Sequence, residues 1–242
     1  VKTAKPGTTR TESPRIPRWL KISYTTFMAV LIPVYTVNYG VTNFFWFCDV
    51  ALIVTLIGLW REDRLLISMA SVAIILPQLL WVIDFAYGLA TGGGTLISLA
   101  AYMFDSDLNI RLRAISLFHG WLPFLLIYAV YRLGYDRRAL KFQVVLAAVV
   151  LLASFLSVEM PQGAPGGITR ETHPAGNINK VLGWNDDSLP QKAMHPFAWL
   201  GVLMAAYPLC LYIPSHLALA RFVPARTPDA ERLREPSPAL AN

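Results

Sequence analysis

The sequence predicts an all-α fold: a polytopic membrane helix bundle of about six transmembrane helices with both termini cytoplasmic. Three observations predict it. The chain of 242 residues is 55% hydrophobic and only 15% charged, with a mean hydropathy of +0.47, whereas soluble domains carry about 25% charged residues. The charges gather in short clusters, and the stretches between them are almost purely apolar, the pattern of spans joined by loops. Finally, the basic residues divide unequally between alternate loops.

A spanning helix needs about 20 mostly apolar residues. Six segments qualify, roughly 22–38, 43–60, 65–88, 113–131, 142–158 and 197–217. The first contains Pro33 and several Ser, Thr and Tyr residues, so a tilted or re-entrant segment competes there with a full span. The tails 1–21 and 218–242 flank a transmembrane domain over 22–217. With the N-terminus inside, sixteen Lys and Arg fall on the inner side and five on the outer, as the positive-inside rule requires. Trp19, Trp60, Tyr128, Tyr131 and Tyr135 mark the inner boundary. Trp46, Trp81, Tyr87, Trp121 and Trp199 mark the outer half, where interfacial aromatics are expected.

The loops differ in kind. The inner ones, REDR and RLGYDRRALK, are short charged connections. The outer ones, 89–112 and 159–196, are long; the first contains LISLAAYMF, apolar enough for a short interfacial helix. The opening VKTAKPGTTRTESPRIPRWLK shows no signal-peptide pattern.

Several classes find no support. The net charge of +6 sits in tails and span ends rather than in a basic stripe with aromatics, so no nucleic-acid partner is expected. Cys48 and Cys210 lie in apolar runs and read as buried thiols. No GxGxxG, P-loop, HExxH or GxSxG motif occurs. Without an internal repeat, and with inner half-spans nearly free of ionisable groups, a transporter ranks last.

Three ionisable residues interrupt the spans: Asp49, Asp84 and His119. Each costs about 2.5–3.5 kcal/mol for a central Asp on insertion scales, so each needs a reason. Counted at 1.5 Å per residue, they lie about 9, 6 and 9 Å inside the outer boundary, at one level. Glu159 lies at or above that level, Asn38 and Asn43 lie above Asp49, and loop residues Asn177 and Asn179 are placed to close the same pocket. On the third span, Pro77, Trp81, Asp84 and Gly88 share a face; on the fourth, Ser116, His119, Gly120 and Pro123 do. The ligand or pocket set is therefore Asn38, Asn43, Asp49, Asp84, His119, Glu159, Asn177 and Asn179. Asp49, Asp84 and His119 are the catalytic or metal-ligating candidates. A His with two carboxylates is a permissible ligand set, and His119 offers an imidazole to a metal or a tetrapyrrole, but the sequence requires no cofactor. Against this stands the structural reading, in which the two carboxylates and the imidazole hold helices and loops together.

The stretches NYGVTNFFWFCDVALIVTLIGLW, LLWVIDFAYGL, YMFD, LRAISLFHGWLPFLLIYAVYRLGYDRRAL, NINKVLGW and LYIPSHL resemble a family of bacterial polytopic proteins called hypothetical or membrane-associated. The resemblance covers about residues 35–220 and brings no activity with it. It implies an inner-membrane protein and directs attention to Asn38, Asn43, Asp49, Asp84, Asp105, His119, Asn177 and Asn179. Two functions follow as expectations. One is a non-enzymatic subunit or scaffold of a membrane complex, in contact with lipid and other membrane subunits, with a polar outer-leaflet pocket. The other is an intramembrane enzyme acting on a lipid-like substrate from the periplasmic side.

Overall fold

The computed structural model describes residues 15–157, 177–184 and 191–223. Among them every regular element is helical. Helix α1 spans Arg18–Tyr39, α2 Phe47–Arg61, α3 Arg64–Thr91, α4 Ile110–Ser116, α5 Phe118–Leu133, α6 Ala139–Ser157, α7 Pro196–Tyr207 and α8 Ile213–Phe222. Five stretches are long and apolar enough to cross a membrane: Arg18–Tyr39, Arg64–Thr91, Ile110–Leu133, Ala139–Ser157 and Pro196–Phe222.

The expected second span, 43–60, is not one helix. A 3₁₀ turn over Val41–Phe45 and a break at Trp46 precede α2, which has 15 residues, short of a span on its own. The fourth expected span bends at Leu117, where α4 ends and α5 begins. The last is α7 and α8 joined by a π-helical turn, Pro208–Tyr212. Pro208 and Pro214 each remove an N–H from the regular ladder, and such bulges form where that ladder is interrupted.

Helix α3 is the hub. It is apolar all round, and Ser68, Ala70, Ser71 and Ala73 are buried along it, as expected of a helix enclosed by others. Asp63 starts it by accepting the Leu66 N–H at 3.1 Å. Gly92 ends it at φ +71°, a left-handed conformation that favours glycine. Helices α2, α5 and α6 pack around α3.

Polar contacts fix which helix ends lie together. The Glu62 carboxylate, just past α2, accepts the Arg15 and Ile16 N–H groups at 3.0 and 3.3 Å and the Lys21 ammonium at 2.6 Å. The chain from Val41 to Arg61 thus returns to the level at which α1 starts. The Asp136 N–H donates to Ser68 Oγ at 2.9 Å, and the Tyr135 hydroxyl pairs with His216 Nδ1 at 2.6 Å. The starts of α1 and α3, the α5–α6 turn and α8 therefore share one end of the bundle. Residues 40–47, 92–109 and 177–184 lie at the other.

Candidate functional site

Every described member of the expected set lies at that second end, but the members do different jobs. Asp49 stands in the first turn of α2 and is 2% exposed. A carboxylate is favoured there by the helix dipole. Asn43, in the preceding 3₁₀ turn, donates from Nδ2 to Asp49 Oδ2 at 2.9 Å. The other oxygen, Oδ1, is buried without a hydrogen-bond partner among the described residues.

Trp46 gives α2 no side-chain cap; Asn179 supplies one from far along the chain. Its Oδ1 accepts the Phe47 N–H at 3.1 Å, and its Nδ2 donates to Phe45 O at 2.7 Å and Ser154 Oγ at 3.1 Å. Its own carbonyl accepts the Tyr207 hydroxyl at 3.3 Å. Asn179 holds φ +52° to do this, a conformation Asn tolerates better than most residues. Asn177 shapes the same segment, donating to Gly183 O at 3.0 Å and accepting the Leu182 N–H at 2.9 Å. Ile178, Val181 and Leu182 are buried; the last two pack with Leu151, Phe155, Leu200 and Leu203. Residues 177–183 are thus a plug joining α2, α6 and α7.

Asp84 holds a loop. It is 1% exposed, and its Oδ1 accepts the Leu96 and Ile97 N–H groups at 2.7 and 3.0 Å. Its Oδ2 accepts the Ala100 N–H at 2.8 Å, and the Thr95 hydroxyl lies 3.1 and 3.2 Å from the two oxygens. This corrects the interfacial helix expected over LISLAAYMF. Amides that a helix would direct to its own carbonyls go to Asp84, and only Ala101–Phe104 forms a single 3₁₀ turn. Phe104 then lies against Gly88, where an added Cβ would come within 2.2 Å of the ring.

His119 lies in the first turn of α5, beyond the bend at Leu117. Its Nδ1 is 2.8 Å from Ser116 O. A carbonyl only accepts, so this bond assigns the ring proton to Nδ1 and leaves the lone pair of the neutral ring on Nε2. The imidazole is stacked with Trp81 at 5.3 Å and with Phe118 at 4.0 Å. Nearby, Ser116 Oγ is 2.9 Å from the Tyr35 hydroxyl, which ties α1 to α4, and the Tyr102 hydroxyl is 3.5 Å from His119 Nδ1.

The common depth of Asp49, Asp84 and His119 does not make them one metal centre. Among the described residues no group of three or more His, Cys, Asp or Glu is placed to hold a metal ion, and Asp84 already has a full set of donors. Asn38 is exposed and donates to Val34 O within its own helix. Asp105 accepts the Asp107 N–H at 2.9 Å in an exposed turn. His195 caps α7, accepting the Phe197 N–H at 3.4 Å. Glu159 lies outside the described residues. Cys210 is exposed on the bundle surface rather than buried.

Two participants escaped the sequence reading, Tyr35 and Tyr102, hydroxyls among many in the chain; Ser116 was placed on the face of His119, but its bond to Tyr35 was not foreseen. Comparisons with family models, curated proteins and solved structures gave no match.

Proposed function

We propose that the chain is a non-enzymatic integral membrane protein of the bacterial inner membrane. It serves as a subunit or scaffold of a membrane complex and belongs to the polytopic family it resembles. One observation carries this reading: the Asp84 carboxylate is committed to three backbone amides and a hydroxyl of the 95–100 loop. A group so bonded orders the outer face and has no free oxygen for acid–base chemistry.

The proposed topology has six crossings with both termini cytoplasmic. Val41–Arg61 supplies the sixth crossing, supported by the Lys21–Glu62 pair at its inner end and by the sixteen-to-five division of basic residues. Contact with other subunits is assigned to the Pro196–Phe222 stretch, whose most apolar window is only 17% buried. Its outward face presents Gly201 and Ala205, small residues that let another helix approach closely.

A second reading, an enzyme acting on a lipid-like substrate through Asp49, Asp84 and His119, draws on one feature. Asp49 Oδ1 is buried and unpartnered among the described residues. Solubilisation from native membrane in mild detergent, followed by native mass spectrometry, separates the two. A defined hetero-assembly that loses its integrity in Asp84→Asn supports the scaffold. A monomer of unchanged stability in that variant, which converts an added lipid only when Asp84 is intact, overturns it.

A further inference from the structure

Helix α1 and the α4–α5 arm do not close fully on each other. Deep in the bundle they are bridged by large rings: Tyr24 and Phe27 meet Trp121 at 5.9 and 5.0 Å, and Phe27 meets Phe118 at 6.2 Å. Toward the outer end, the Tyr35–Ser116 bond links them. Beside that bond the facing side chains are mostly aliphatic. A groove of about 470 Å³ remains, with Val30, Val34, Leu112, Ala114 and Ile115 among its walls. That volume falls within the range of small-molecule sites, about 300–1,000 Å³.

The groove is polar at one end only. Val30 and Val34 lie deeper along α1, and Asn38 lies one turn above Val34, toward the outer end. On the opposite wall, Asn109 and Arg111 stand at the outer start of α4, and Ala114 and Ile115 run inward from them. Arg111 is exposed and has no ion-pair partner among the described residues. Asn109 is occupied in capping α4 through the Arg111 N–H, at 2.9 Å. The described acids closest in sequence, Asp105 and Asp107, are bonded within their own turn: Asp105 Oδ1 accepts the Asp107 N–H at 2.9 Å, and Ser106 Oγ lies 3.5 Å from Asp107 Oδ1. An apolar channel running into the bilayer from an exposed guanidinium matches one kind of molecule.

We propose that this groove binds one anionic phospholipid of the outer leaflet. Its phosphate pairs with Arg111, and an acyl chain lies along Val34, Val30 and Ile115. Arg suits the headgroup because its planar fork pairs with two phosphate oxygens at once. Val and Ala walls give the chain a smooth surface without displacing polar groups. The site is distinct from Asp49, Asp84 and His119; its place in the outer leaflet rests on the proposed topology, and its existence does not depend on the scaffold role.

The test is native mass spectrometry of the full chain in detergent, titrated separately with phosphatidylglycerol, phosphatidylcholine and soluble glycerol phosphate. The wild type is expected to retain one phosphatidylglycerol about tenfold more tightly than phosphatidylcholine, since both carry the phosphate but the choline ammonium sets a second positive charge beside Arg111. Arg111→Gln removes that preference and leaves weak binding of both lipids. Val34→Trp and, from the opposite wall, Ala114→Phe fill the groove and abolish retention. Their unliganded melting temperatures, compared with wild type, show that the fold survives; two variants on different helices guard against one failing to fold. Equal retention of the two lipids by wild type, or an unchanged preference in Arg111→Gln, overturns the proposal. So does retention that persists in a folded groove-filling variant. Binding of glycerol phosphate alone assigns Arg111 to free phosphate and equally overturns a lipid site.

Discussion

Asn179 and Phe47 lie 132 positions apart in the chain and meet at 3.1 Å, the Asn179 side-chain oxygen accepting the Phe47 N–H. This bond gives α2 the cap that its own flanking residues lack, and it seats the 177–183 plug at the level of Asp49. Two substitutions separate the side chain's bonds from its backbone conformation. Asn179→Gly removes the bonds and keeps the φ of +52° easily accessible; Asn179→Ala removes them and adds strain. Losing the cap and the donor to Phe45 O is expected to cost about 1–3 kcal/mol, with Ala the worse of the two. Thermal unfolding in detergent or nanodiscs measures the order. Equal stability of wild type and both variants would remove the plug from the account of the fold.

Gly88 is packed where no side chain fits. An added Cβ would lie 2.2 Å from Phe104 Cε2 and 3.0 Å from Gly94 O. Gly88→Ala is therefore expected to displace Phe104 and destabilise the packing of the 92–109 loop on α3 by about 1–3 kcal/mol, as overpacking does. Phe104→Leu should recover part of that loss in the double variant. A double-mutant cycle that comes out additive would show that the two residues are not in contact.

The bundle end that holds Glu62 and Asp136 supplies the pH dependence. At Asp136, the Arg138 side chain, bonded at 2.8 and 3.1 Å, is the main cause holding the carboxyl below its ordinary value. At Glu62, burial acts to raise the carboxyl, but the Lys21 ammonium and the Arg15 and Ile16 amides outweigh it and hold it low. Both native pKa values lie below their unfolded ones, about 3.9 for Asp and 4.3 for Glu. Their stabilisation is thus complete above those unfolded values and is lost as pH falls through the native ones. Arg138 is largely exposed, so the effect is modest. Melting temperature is expected to hold from neutrality to about pH 5 and to drop below about pH 4. The drop should be shallower in the double variant Asp136→Asn, Glu62→Gln. An identical acid limb in both proteins would contradict the assignment.

The proposed topology makes opposite demands on two loops. In a background with Cys48→Ala and Cys210→Ala, Ser106→Cys is expected to react with a membrane-impermeant maleimide in spheroplasts. Arg137→Cys should react only after the membrane is opened. Ser106 lies in the 92–109 loop and Arg137 in the α5–α6 turn, both at exposed positions. Reaction of Arg137→Cys in sealed spheroplasts would invert or break the six-crossing arrangement.

Local chemistry was legible in the sequence to the extent that it acts locally. Apolar runs located five stretches that are helical, long and apolar enough to cross a membrane. That Asp49, Asp84 and His119 lie toward one end of the bundle followed from counting residues. Their separate partners did not, because those depend on contacts between distant segments. The Asn179–Phe47 bond leaves no trace in spacing. LISLAAYMF has helical composition, but Asp84 takes the amides that a helix there would use. The 43–60 run is apolar throughout, so hydropathy alone gave no reason to break it at Trp46. The break comes with capping from residue 179.

Hydrogen exchange at the amides of Leu96, Ile97 and Ala100, in nanodiscs, tests most directly whether Asp84 serves structure rather than chemistry. In wild type these three amides should be protected although their loop has no regular secondary structure. In Asp84→Asn, which keeps one acceptor oxygen where the carboxylate has two, they should exchange at least about tenfold faster, as loss of about 1.5–3 kcal/mol implies. The α3 amides should be unchanged. Fast exchange of the three amides in wild type, or unchanged protection in the variant, would contradict the assignment of Asp84 as the fastener of the 95–100 loop.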